Sequence, residues 1–191
     1  MKAVMLSLRP QWCEKIFNGS KTIEVRKSRP SLDMPFKVYV YETKGATDTP
    51  WVDEDGHFIY KGRGEIIGSF VCDRITCCQA YYGESGEKHL TNLFGCDVKN
   101  TCLTEHEMFD YIIGKDKKEG TGWLWHIIEP KLFDKPRELS EFKKEGFMSE
   151  EAWLCALYPN THCHYKAWAE KFMLTHPPQS WCYIEEEDNE R

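Results

Sequence analysis

Apolar positions along this chain come in short, separated groups, and most of them alternate. Residues 3–8, Ala-Val-Met-Leu-Ser-Leu, form an apolar run that stops at Arg9-Pro10. Proline keeps the residue before it out of helical backbone, so the run reads as a strand entering a turn. Pro10 then suits the first position of a helix over 10–18, where Trp12, Cys13, Ile16 and Phe17 recur at spacings of three and four and Gly19 supplies the stop. The run Lys21-Thr-Ile-Glu-Val-Arg-Lys27 alternates cleanly, with Ile23 and Val25 on one face and Thr22, Glu24 and Arg26 on the other. Phe36, Val38 and Val40 alternate with Lys37, Tyr39 and Tyr41 in a third strand, and residues 65–72 form another. Between them, Asp55-Gly56 marks a hairpin tip.

Residues 80–100 are polar and glycine-bearing and predict an extended loop. Thr104 and Glu107 then form a capping box, and Leu103 and Met108 a hydrophobic staple, so a helix spans 105–113 and ends at Gly114. Residues 121–129 predict a buried strand with Trp123, Trp125 and Ile127 on one face and Leu124, His126 and Ile128 on the other. The charged segment 131–148, which contains Pro136, predicts a connecting loop or a short turn of helix. Ser149 caps a helix running through Leu157, a second helical stretch covers 164–174, and 181–184 is a closing strand. Many short strands with a few helices predict an α+β fold around a small β-barrel, as a single domain over 1–191 with 143–175 as a helical insertion and 185–191 as an acidic tail.

Composition narrows the class. A chain of 191 residues with 41% hydrophobic and 29% charged residues can bury a core and is neither disordered nor fibrous. No apolar run approaches the roughly 18 residues that span a bilayer, and the opening lacks the pattern of a signal peptide, so a cytoplasmic protein without membrane contact is expected. Nine cysteines, an odd count, make a poor disulfide framework and read as mostly reduced thiols. Cys77-Cys78, Cys155 and His162-Cys163-His164 lack the paired spacings of a zinc site, so neither metal nor cofactor is expected. Net charge is −6, which argues against coating nucleic acid by bulk attraction. Its distribution is uneven: residues 1–30 hold seven Lys and Arg against Glu14 and Glu24, a balance of +5, which leaves −11 for the rest.

The candidate chemistry sits in that basic stretch. Thr22, Glu24 and Arg26 stand about 7 Å apart in a row on one strand face. Such a row either pairs with itself on a solvated surface or offers a carboxylate and a guanidinium to a planar polar ligand. Lys21, just after Gly19-Ser20, is either a plain turn lysine or a side chain at a cleft mouth that serves as a base or holds an anion. Trp12 is a core anchor or a stacking platform for a base, and His126 is a structural histidine or a proton shuttle.

The run from Ser7 to Lys27, with its glycine-terminated helix followed by Lys-Thr-Ile-Glu-Val-Arg, resembles the signature of the ASCH domain. Ile66–Asp73, Trp125-His126-Ile127, Lys135–Phe142 and Pro177–Tyr183 resemble the ASCH proteins of bacteriophages and prophages. The resemblance implies a PUA-like barrel whose first helix flanks a cleft, and partners that are RNA or nucleoside-type small molecules. Within the family some relatives hydrolyse N4-acylated cytidine and others are linked to ribonuclease activity. The acyl-cytidine hydrolases carry a lysine that Lys21 matches, and three positions on a threonine nucleophile whose place is taken here by Glu24. No residue between 79 and 101 matches their partner glutamate. The expectation is therefore an RNA- or nucleoside-binding cleft lined by Trp12, Lys21, Thr22, Glu24, Arg26, Lys27 and His126. Lys21 and Glu24 are the candidate catalytic pair of an alternative small hydrolase. A third possibility is a host protein partner bound through the acidic, aromatic body.

Overall fold

The computed structural model describes residues 2–44, 51–52, 58–59, 62–93, 95–115, 117–146 and 169–185. In chain order these form β1 (Lys2–Leu8), α1 (Pro10–Phe17), β2 (Ile23–Arg26), β3 (Phe36–Glu42), β4 (Trp51–Val52), β5 (Phe58–Ile59), β6 (Ile66–Tyr82) and β7 (Lys88–Thr91). There follow α2 (Glu105–Ile113), β8 (Glu119–Arg137), β9 (Lys143–Lys144) and β10 (Trp181–Glu185), with 3₁₀ turns at Val98–Thr101 and Leu139–Glu141. The fold is α+β, and the described residues are mostly sheet with two full helices, α1 and α2. No helix among the described residues is long and apolar enough to cross a membrane.

The chain packs as two units. The first comprises Met1–Arg9, Val38–Gly68 and Phe133–Arg191. Here β1 runs parallel to β3, from Val4 opposite Val38 to Leu8 opposite Glu42, and antiparallel to β10, from Lys2 opposite Glu185 to Leu6 opposite Trp181. A strand paired on both edges and buried on both faces reads as a continuous apolar run, which is why residues 3–8 show no alternation. Its core gathers Met5, Tyr39, Tyr41, Phe142 and Ile184, with the rings of Tyr39 and Phe142 edge to face at 5.0 Å. The antiparallel pairing of β4 with β5 brackets Asp55-Gly56, which itself lies outside the described residues. The helix expected from Ser149 to Leu157, residues 164–168 of that expected over 164–174, the Cys155, His162, Cys163 and His164 group and residues 186–191 also lie outside them. Of the remainder of the second helix only residues 169–170 are helical, and Met173 instead forms an isolated antiparallel bridge with Lys143.

The second unit comprises Pro10–Lys37 and Ser69–Leu132. β2 pairs antiparallel with β8, β8 neighbours β6, and β7 pairs with the far end of β6 from Gln79 opposite Thr91 to Tyr82 opposite Lys88. α2 buries Met108, Phe109, Ile112 and Ile113 against Ile23, Val25, Cys78, Ala80 and Leu124. Its capping box forms as the sequence predicts: Thr104 Oγ1 accepts from the Glu107 N–H and Glu107 accepts from the Thr104 N–H. The close approach of α2 to β8 depends on two glycines, because a Cβ on Gly120 would stand 2.8 Å from the Ile112 carbonyl oxygen and one on Gly122 2.6 Å from Ile112 Cδ1. In neither unit do the described strands close into a barrel.

Two sequence expectations are corrected. Residues 80–100 are not an extended loop, since β6 continues to Tyr82 and β7 and a 3₁₀ turn follow. Residues 131–137 are not a connection either, since β8 runs to Arg137. Nearly all side chains between Ile128 and Lys135 face solvent, so this part of β8 carries no apolar alternation to announce it. The short turn of helix expected somewhere in 131–148 is the 3₁₀ turn at Leu139–Glu141.

Candidate functional site

Lys21 is positioned by the end of α1. Gly19 adopts φ +81°, a left-handed conformation open to glycine, and the chain turns back so that the Lys21 N–H donates to the Lys15 carbonyl at 2.8 Å. The next residue is clamped from two sides, the Thr22 N–H donating to Asn100 and its carbonyl accepting from the Ile127 N–H. Strand β2 then starts in register with β8, placing Glu24 opposite Trp125 and Arg26 opposite Trp123, while Ile23 and Val25 lie opposite His126 and Leu124.

The alternation therefore holds, but both faces of β2 are covered. Lys21, Glu24 and Arg26 are only 3%, 6% and 8% exposed. Lys21 Nζ lies 3.2 Å from Glu24 Oε2, and Arg26 Nε lies 2.9 Å from Glu24 Oε1. The Lys21 ammonium also donates to the Thr101 carbonyl at 2.5 Å and sits 5.1 Å from the centre of the Trp12 ring. The pairing that the sequence allows on a solvated face occurs instead in a buried setting, where desolvating the charges costs several kcal/mol per ion by order of magnitude. Tyr111, on α2, shares a hydrogen bond with Arg26, and burial pushes its phenol up from the usual value.

Trp12 is half-buried, and the anchors of α1 are Cys13 and Ile16, so the indole is no core plug. Lys15 Nζ stands 5.1 Å from the same ring. Two further cations lie over aromatic faces nearby in sequence: Lys27 over Tyr111 at 5.3 Å and Arg29 over Trp123 at 4.7 Å. Thr22 is exposed, as is Lys27.

His126 is brought to a different place. Its register partner is Ile23, so it belongs to the face of the β2–β8 pair opposite Glu24. Its Nδ1 lies 3.1 Å from an Arg74 nitrogen, and its Nε2 lies 3.1 Å from Thr76 Oγ1 and 3.3 Å from Cys96 Sγ. Burial first, and the Arg74 charge second, lower its pKa below the usual imidazole value. Sequence reasoning missed Thr101 and Tyr111 at the first cluster and Arg74, Thr76 and Cys96 at the second. None is near its partners in the chain, and no local pattern flags them.

The α+β fold, a sheet with a short first helix, is similar to that of solved ASCH proteins. The ASCH protein of Zymomonas mobilis is similar to it over 96% of this chain and 88% of its own, at 16% identity and a TM-score of 0.53. A tyrosine-to-phenylalanine mutant of that protein is similar over 97% and 92%, again at 16% identity and a TM-score of 0.53. No family model matches the chain, and no curated protein does.

Proposed function

We propose that this protein binds RNA or a modified nucleoside, with the base received in a cleft at Lys21, Glu24 and Arg26. The observation that carries the reading is the buried trio itself. A chain seldom keeps two cations and a carboxylate out of water at one spot for stability alone, because well-packed apolar residues usually serve as well or better. Glu24 accepts from both cations, and a base presenting an exocyclic amine and a ring N–H offers the same donors in a plane. The half-exposed Trp12 ring beside Lys21 suits stacking, and Lys15, Lys27 and Arg29, each over an aromatic face, suit a backbone that is anionic and interleaved with flat rings. The ASCH-type fold supports a nucleic-acid partner at the level of fold alone.

The test is binding of a nucleoside panel and of short single-stranded RNA, comparing the unaltered protein with Lys21→Met and Arg26→Ala. Unchanged affinity in both folded variants would remove the site from the proposal. A second reading, hydrolysis of an N4-acylated cytidine-type nucleoside or of RNA, draws on the 3.2 Å separation of Lys21 and Glu24, a distance at which a proton passes between a base and an acid. Incubation with acylated cytidines and labelled RNA tests it, and product that Lys21→Met abolishes is the expected result under that reading.

A further inference from the structure

The face of β8 that meets Glu24 and Arg26 runs on past them. Glu24 lies opposite Trp125 and Arg26 opposite Trp123, and because side chains alternate along a strand, Thr121 and Glu119 continue that face. The other face is closed by α2, which packs on Leu124 and comes close to Gly120 and Gly122. On the neighbouring strand β6, Gln79 and Tyr81 join Glu119 and Thr121 around a cavity of about 340 Å³. That volume lies within the usual span of small-ligand sites, about 300–1,000 Å³.

Tyr81 is opposite His89 of β7, and the two rings stack with centres 5.0 Å apart and planes 23° apart. Tyr81 remains 38% exposed, whereas its neighbour Tyr82 sets its ring edge to face on Phe109 of α2 at 5.0 Å. A flat ring held rigid by a second ring, beside a cavity and open to water, is a stacking platform. The charges around it are divided. Glu119 lines the cavity, and Glu87 Oε1 stands 3.3 Å from His89 Nε2, so carboxylates face this end of the sheet. The exposed Lys117 and Lys118 border it, the Lys118 carbonyl accepting from the Tyr82 N–H.

We propose that the Tyr81 cavity is a second base-binding subsite, and that the ligand is therefore single-stranded RNA of several nucleotides rather than a free nucleoside. The inference rests on the binding reading above and deepens it. One base is held at Lys21, Glu24 and Arg26, and a second stacks on Tyr81 and donates from its exocyclic amine to Glu119. Carboxylates repel phosphate and accept from amines, so the base enters the cavity and the backbone keeps to Lys117 and Lys118. Six positions of β8 separate Glu119 from Trp125, roughly 20 Å of strand. A nucleoside cannot bridge that span, and single strands occupy sites of roughly 4–16 nucleotides. Between the two subsites Arg29 lies over Trp123 at 4.7 Å, a cation for the intervening backbone.

The full-length protein is titrated, at one salt concentration, with cytidine and with oligocytidylates of two, four and six nucleotides. The six-mer is expected to bind at least about tenfold more tightly than the dinucleotide, the scale of one stacked base. Tyr81→Ala is expected to abolish that gain and Tyr81→Trp, which keeps a flat ring, to retain it. Glu119→Ala is expected to weaken the six-mer about tenfold, the scale of a hydrogen bond to a charged group. Tighter binding in that variant, the result of removing a carboxylate that faces phosphate, overturns the proposal. So does a Tyr81→Ala protein of unaltered circular dichroism that holds the six-mer at the original affinity. A six-mer bound no more tightly than cytidine overturns the second subsite and leaves the Lys21 site standing, whereas failure of every ligand to bind removes both.

Discussion

Lys21, Glu24 and Arg26 act as a unit, and single substitutions should reveal it. Lys21→Met leaves Glu24 buried with one cation in place of two, at a cost of roughly 3 kcal/mol by the usual scale for breaking a buried pair. The double variant Lys21→Met with Glu24→Gln removes charge on both sides, so urea denaturation should find it more stable than the sum of the two single changes predicts. Nucleoside binding should be lost in all three. His126 gives a pH dependence with a definite sign. Burial holds its folded-state pKa below the ordinary imidazole value of about 6.5, so it contributes stability that is full above that value and is lost as pH falls toward the lowered one. Thermal melts at about pH 7.5 and about pH 5.5 should differ less in His126→Gln than in the unaltered protein, as far as this one group contributes.

Among the elements, α2 is the one whose ends and packing are both explicit. Thr104→Ala removes the side-chain half of the capping box and should cost about 1 kcal/mol in chemical denaturation. Gly120→Ala should cost more, about 1–3 kcal/mol, because its Cβ would meet the Ile112 backbone carbonyl rather than the movable end of a side chain. Had the helix merely rested on β8 through flexible side chains, that substitution would be close to neutral. The two long strands were harder to read than the helix. A helix announces itself by caps and periodicity within one segment, whereas residues 74–82 and 128–137 owe their extended state to partners elsewhere in the chain.

Across the whole molecule, the net charge of −6 and the +5 balance of residues 1–30 predict binding that is local and salt-sensitive. For single strands the logarithm of affinity should fall linearly with that of salt concentration, by about 0.7 per phosphate neutralised. Lys27→Ala, which removes an exposed cation, should lower affinity for RNA and flatten that slope by about one such step while leaving binding of an uncharged nucleoside nearly unchanged. A slope unaltered by the substitution would take Lys27 off the path of the backbone.

The sequence by itself determined β1, α1, β2, β3, α2 and β10, because each carries its own evidence in a proline, a cap, a glycine stop, an unbroken apolar run or a clean alternation of apolar and polar positions. It also determined that Ile23 and Val25 face the interior together, since a period of two admits no other arrangement once the strand forms. Only the tertiary structure decided that the opposite face is covered too. That outcome depends on Thr101 and Tyr111 closing over Lys21 and Arg26 from segments 80 and 85 residues away in the chain. It also decided that His126 keeps company with Cys96 rather than Glu24, a consequence of strand register, which pairing between distant segments sets and no single segment encodes.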